Sequence, residues 1–239
     1  MPDTDVVLIH GAAGSRDELA PLEAVLPPGL RGWRFNLLGH GGRPLPSRFG
    51  IFEMVDDLAD QMATAGIGKA VLFGYSLGGF LALHHALRHP DQVAGVCTLG
   101  SQYIWDEASL AHAAAILDPE RLKRVGSDDP SWVQDLYICF RRIRDQGNSH
   151  EAALREDHLS RLHCPVLAIN GNADPLVSVD STIRHAQLIP NHQFAIYNGA
   201  AHPPDALPFA LLAEELAAFV EGLERNMLGL IPPKPMHAR

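Results

Sequence analysis

Short apolar runs alternate with longer stretches of helical spacing along most of this 239-residue chain. The runs at 6–9, 33–37, 70–73, 93–99, 166–170 and 194–197 are the candidate strands. Most are apolar at every position instead of every second one, the pattern of parallel strands covered on both faces. Helical spacing fits 17–26, 53–65, 77–88, 179–188 and 208–224. Pro90 stops the third of these, because proline has no amide hydrogen and disfavours helix in the residue before it. The β-α-β-α rhythm predicts an α/β fold, an open, doubly wound sheet with helices on both faces.

One stretch interrupts the rhythm. Between 102 and 163 no run reads as a strand, and helical fragments are separated by Asp118-Pro119, Asp128-Asp129-Pro130 and Gly147-Asn148-Ser149. Its aromatic residues Trp105, Trp132, Tyr137 and Phe140 argue for a folded helical cap and against a linker. The expected organisation is therefore a core of 1–101 and 164–225, a cap insertion of 102–163, and a Pro-rich flexible tail of 226–239.

Composition narrows the function classes. The chain is 46% hydrophobic and 20% charged, as globular domains are. Nineteen basic against 28 acidic side chains give a net charge of −9, which argues against a nucleic-acid binder. The opening MPDTDVVLIHG has neither a basic region nor a long apolar core, so no signal peptide is expected. No apolar stretch approaches the roughly 18–20 residues of a membrane span. Three widely spaced cysteines, Cys97, Cys139 and Cys164, fit neither a disulfide framework nor a zinc ribbon. A cytoplasmic protein with no membrane partner is the expectation.

The strongest chemical signal is Gly74-Tyr75-Ser76-Leu77-Gly78-Gly79, set between an apolar strand and an apolar helix. A serine on a sharp strand-to-helix turn stands clear of the sheet, and flanking glycines let strand and helix close around it. A serine hydroxyl is a poor nucleophile without a base. His202 follows the last candidate strand and Asp174 the one before it, so both share the sheet edge of Ser76. The small-residue loop His10-Gly11-Ala12-Ala13-Gly14 follows the first strand; the Ala12 and Leu77 amides are candidates for a two-donor oxyanion hole.

Together LIHGAAGS, NLLGHGGRP, LFGYSLGGFLAL, PVLAINGNADPLVS and GAAHPP make the chain resemble the α/β-hydrolase superfamily. The resemblance implies Ser76 as nucleophile, His202 as general base and acid, and Asp174 as the group that orients His202. It implies a structural turn at Gly39-His40-Gly41. A known family variation would instead nominate Asp106 as the acid. Relatives usually start with an antiparallel hairpin, for which this chain has no room; the expectation is a reduced, parallel six-stranded sheet of family order 4-3-5-6-7-8. Many relatives carry Asp where this chain has Asn36.

Other residues attract weaker readings. Arg16, Tyr75, Tyr103 and Trp105 are candidates for substrate contact, Tyr103 and Trp105 because they follow a strand end that opens on the site. His10 and His40 read as structural. His84, His85 and His89 lack the carboxylate and fourth ligand of a metal site, and the basic cluster Arg121, Lys123, Arg124, Arg141, Arg142 and Arg144 reads as a solvated face. The leading function is a serine hydrolase of small carboxylic esters, acting on a small molecule and needing neither metal nor cofactor. Alternatives are carbon–carbon bond hydrolysis or lyase chemistry on the same three residues, and a ligand sensor with little turnover. Phe80 stands where the lyase type carries arginine, which counts against that branch.

Overall fold

The structure is a computed structural model and describes residues 3–12, 14–106, 109, 111–112, 153–206 and 208–227. Six strands form one sheet: β1 (Thr4–Ile9), β2 (Leu30–Arg34), β3 (Ala70–Tyr75), β4 (Val93–Leu99), β5 (Val166–Gly171) and β6 (His192–Tyr197). Their order is β2-β1-β3-β4-β5-β6, and each neighbouring pair runs parallel. This is the order that the family resemblance implies. Among the described residues the helices are α1 (Ala20–Ala24), α2 (Ile51–Thr64), α3 (Leu77–Arg88), α4 (Glu156–Leu159), α5 (Val179–Ala186) and α6 (Phe209–Met227).

The unbroken apolar runs follow from two covered faces. Val7 and Ile9 of β1 point into one core with Leu72, Val96 and Ala168, beneath α2 and α3. Val6 and Leu8 point the other way, with Val71, Phe73, Leu167 and Ile169, beneath α1 and α6. In α2 the buried positions Ile51, Met54, Val55, Leu58 and Met62 recur every three to four residues and form one stripe. The chain turns to one side of β1 through α1 and to the other side of β3 through α3, so their following loops part at the β1–β3 boundary. Open α/β sheets form their ligand crevice at such a reversal.

β4 and α3 coincide with their predicted ranges, while β2 lies three residues earlier than expected. Its register with β1 ends at Leu8 opposite Arg34. The chain then leaves the sheet, and the Leu37 amide donates to His10 instead of to a strand. Leu37 is buried, so its apolarity is real but serves a loop. The predicted helix at 17–26 divides into a 3₁₀ turn, Arg16–Leu19, and the short α1, with Pro21 in its first turn.

Of the expected 102–163 insertion, the flanks are described. Tyr103, Leu154, Leu159 and Leu162 are buried in the core under α2 and α3, so these flanks belong to core packing. Trp132, Tyr137, Phe140, the basic cluster and most of the expected tail lie outside the described residues. Among the described residues no helix is long and apolar enough to cross a membrane.

Close backbone contact sets where α3 lies. A Cβ added to Gly78 would stand 2.1 Å from the Ile9 carbonyl oxygen and 2.7 Å from that of His10. One added to Gly74 would stand 2.3 Å from the Gly78 carbonyl carbon. Gly78→Ala is therefore expected to cost more than about 2 kcal/mol, because neither partner is a movable side chain. Gly222→Ala is the control: no atom lies within 4 Å of the added carbon, and alanine in a helix gains about 0.5–1 kcal/mol over glycine. Urea unfolding of the two variants should move in opposite directions.

Burial also holds three histidines neutral. His10, His85 and His185 are each pushed down to about 4, chiefly by desolvation. Their unfolded value is near 6.5, so the unfolded chain binds protons that the folded chain refuses. Stability is full above about 6.5 and declines as pH falls toward 4, by up to about 1.4 kcal/mol per pH unit for each histidine. Urea midpoints are expected to fall between pH 7.5 and pH 5; a constant midpoint would contradict this assignment.

Candidate active site

Ser76 joins β3 to α3 with φ +52° and ψ −115°. Among the described residues it alone, other than glycine, has positive φ. Such a conformation costs about 1–3 kcal/mol and persists only where its surroundings enforce it. Here the Ser76 amide donates to the Leu99 carbonyl at 2.8 Å, and the Ser76 carbonyl accepts from Gly79 and Phe80 inside α3. The turn is held on both sides, and the hydroxyl is left at the sheet edge.

Asp174 follows β5 in a tight turn. Its Oδ1 accepts the amides of Leu176 at 2.7 Å and Val177 at 3.0 Å, and its Oδ2 lies 2.8 Å from His202 Nδ1. The Asp174 side chain is 1% exposed and that of His202 12%. A carboxylate can only accept, so the hydrogen sits on Nδ1 and leaves Nε2 to receive the Ser76 hydroxyl, 3.1 Å away. The two loops are tied together: Asn172 donates to the Tyr197 carbonyl and Ala173 to that of Ala200, each at 3.0 Å. Gly100, at φ +58°, lies against the pair; a Cβ there would stand 3.2 Å from Asp174 Oδ2 and 3.3 Å from His202 Nδ1. Asp106 has another task. Its carboxylate accepts the Ser109 amide and hydroxyl, bonds that hold it below the usual carboxylate range.

The loop after β1 is braced from within. Fully buried His10 accepts the Leu37 amide on Nε2 at 3.1 Å, so Nδ1 carries the hydrogen and donates to the Gly11 carbonyl at 2.7 Å. One donor and one acceptor is the neutral form that its lowered pKa favours. Gly14 donates to the Gly11 carbonyl at 3.2 Å, closing a turn that contains Ala12. A Cβ on Gly11 would stand 3.5 Å from that of Ser76, which sets this loop directly against the serine. Leu77, the other expected oxyanion donor, opens α3, where first-turn amides have no partner within the helix.

Asn36 departs from the common aspartate for a visible reason. Its Oδ1 accepts the Arg16 amide at 2.7 Å, while its Nδ2 donates to the Gly41 carbonyl at 3.1 Å. An ionised aspartate has no donor for the second bond. The expected turn at Gly39-His40-Gly41 is present, with both glycines at positive φ.

The candidates for substrate contact separate. Tyr75 packs beside His202, their ring centres 5.4 Å apart. Tyr103 does not face the site: it is 1% exposed, and its hydroxyl bonds Thr98 at 2.6 Å in the core. The turn after β4 carries it inward, a direction that position after a strand end did not reveal. Trp105 is half-buried and packs on the same core. Arg16 is largely exposed; its backbone amide donates to Asn36 and its guanidinium lies 4.0 Å from Asp17.

Glu18 escaped the sequence reading. Its Oε2 accepts the Gly11 amide at 2.9 Å, and burial raises its pKa beside His202 and Asp205. The signal was there as Ser15-x-x-Glu18, the spacing of a capping box. Ser15 does cap the 3₁₀ turn, accepting the Asp17 amide, but the glutamate reaches back beyond it to the loop.

Comparisons with known proteins agree with this architecture. A family model described as alpha/beta hydrolase fold matches residues 5–119. A pimeloyl-[acyl-carrier protein] methyl ester esterase of Neisseria meningitidis serogroup A is 38% identical over 97% of this chain and 84% of its own length. A 2-hydroxymuconate semialdehyde hydrolase of Pseudomonas putida is 25% identical over 83% of this chain and 78% of its own. Among solved structures, an esterase from Rhodococcus sp. superposes with a TM-score of 0.72 at 24% identity, over 92% of this chain and 91% of that one, a likeness of fold. Sheet order, motifs and an extended relative together lead to one statement: the chain belongs to the alpha/beta hydrolase family.

Proposed function

We propose that this protein is a serine hydrolase of small carboxylic esters, working through an acyl-enzyme on Ser76. The observation that carries the reading is the hydrogen-bonded run from Ser76 Oγ through His202 to Asp174. Ser76 attacks the ester carbonyl while His202 Nε2 takes its proton. Asp174 keeps Nδ1 protonated and steadies the imidazolium that forms. The amides of Ala12 and Leu77 receive the oxyanion, each such donor contributing about 3–4 kcal/mol to the transition state. His202 then protonates the departing alcohol, and water releases the acyl group by the reverse use of the same atoms.

The name of the Neisseria relative suggests where to begin with substrates: methyl esters of acyl chains. Cys97 and Cys164 are free thiols, which supports a reducing compartment such as the cytoplasm.

A panel of acyl methyl esters, p-nitrophenyl esters, lactones, thioesters and vinylogous diketones tests the assignment. Ester turnover is expected from the wild type, together with labelling of Ser76 by a fluorophosphonate. Ser76→Ala should abolish both, lowering kcat by about 10⁶-fold. Asp174→Asn should keep the fold and lower kcat by about 10⁴-fold, because the amide favours the wrong histidine tautomer. Folded wild-type protein that neither labels nor turns over esters would refute the proposal. Turnover confined to the diketone would assign carbon–carbon bond hydrolysis instead.

A further inference from the structure

We propose that Glu18 is a positioning residue that clamps the loop carrying the Ala12 amide, an inference that rests on the oxyanion role proposed for that loop. The carboxyl group reaches both ends of the turn. At one end its Oε2 accepts the Gly11 amide at 2.9 Å. At the other, a Cβ on Gly14 would stand 2.6 Å from Oε2 and 3.1 Å from Cδ, so the carboxyl occupies the space a Gly14 side chain would take. Gly11 and Gly14 are themselves joined by the hydrogen bond that closes the turn. Ala12 thus sits on a short arc whose two feet rest on one side chain.

A second side chain bounds the arc. A Cβ on Gly11 would meet the Tyr75 ring at 2.7 Å, and Tyr75 packs on His202. Glu18 holds the loop at Gly11 and Gly14, and the Tyr75 ring bounds it at Gly11. A side chain at Gly11 would displace the Tyr75 ring, and one at Gly14 would displace the Glu18 carboxyl. The base of Glu18 is firm too: its own amide donates to the Ser15 carbonyl at 3.0 Å. His10 fixes the carbonyl of Gly11 and Glu18 fixes its amide, so the two peptide planes flanking this residue are both held. The following amide belongs to Ala12, and its direction follows from the plane shared with the Gly11 carbonyl.

What the clamp needs is an acceptor oxygen at this position. Glutamine supplies one at the same reach, while methionine fills similar volume and supplies only a weak sulfur acceptor. Misplacing an oxyanion donor harms the transition state more than the bound ester, so kcat should suffer and KM should not. The carboxyl's charge acts on His202, Asp205 and Tyr75, and both substitutions remove it, so the difference between them reads the acceptor oxygen.

The experiment compares Glu18→Gln, Glu18→Met and Glu18→Ala in the full chain, each checked for folding by thermal melting. Two readouts are taken. The first is steady-state kinetics with an ester the wild type turns over, alongside inhibition by a trifluoromethyl ketone that forms a tetrahedral adduct on the serine. The second is hydrogen exchange at the Gly11 amide, which requires no activity. Glu18→Met and Glu18→Ala are expected to lower kcat about 10–100-fold with KM within about twofold. Ketone affinity should fall in parallel and Gly11 exchange should speed up. Glu18→Gln is expected to stay near wild type in all three. A folded Met or Ala variant with wild-type kcat overturns the proposal. So does a Gln variant as impaired as Met, or a Gly11 amide equally protected in every variant. Faster Gly11 exchange in Met and Ala, in a wild type that neither labels nor hydrolyses esters, keeps the clamp and removes only the oxyanion role of the loop.

Discussion

The site depends on how closely α3 lies on β1. Gly78 touches the carbonyls of Ile9 and His10 with no room for a side chain, and Gly74 touches the backbone of Gly78 and Gly79. That contact removes the space into which the turn at Ser76 would relax, and so maintains a backbone conformation that is otherwise unfavourable. It also sets the serine against the loop after β1, because the residue that α3 presses on is the one that begins that loop. Elbow and oxyanion loop are therefore placed by one packing event.

The second organising feature is a set of short backbone bridges. Asp174 and His202 lie on separate loops, yet those loops are joined by the bonds from Asn172 to Tyr197 and from Ala173 to Ala200. Asp174 uses one oxygen to hold its own turn and the other to hold His202. This division fixes the direction of the carboxylate before the histidine meets it. Around the loop after β1, both ring nitrogens of buried His10 hydrogen-bond to backbone groups, and burial keeps it in the neutral form those two bonds require. Asn36 works in the same way, with one atom donating and one accepting.

Much of this was legible in the chain. Continuous apolar runs located β4 within its observed bounds and placed β1, β3 and β5 to within two residues at each end, since strands covered on both faces leave an unmistakable pattern. The glycines around Ser76 marked the turn because a close approach permits no substitute. Motif order brought Ser76, Asp174 and His202 to one edge, and their side chains meet there. β2 was misplaced because it is an edge strand with a weak apolar pattern, and the stronger run at Phe35, Leu37 and Leu38 belongs to the following loop. Tyr103 was misjudged because position after a strand end does not give the direction of a side chain.

By itself, then, the sequence determined the sheet's class, the serine turn and the loops that supply its partners, and the strand order was what the family resemblance of its motifs implied. The sheet's class and the serine turn follow from periodicity and from residue types with few conformational alternatives. Tertiary structure alone decided which polar groups meet across the chain: Glu18 with the Gly11 amide, His10 with the Leu37 amide, Asn36 with both Arg16 and Gly41. Hydrogen bonds form over about 3 Å between atoms whose direction depends on several dihedral angles. Spacing along a chain does not carry that information until packing has set the backbone.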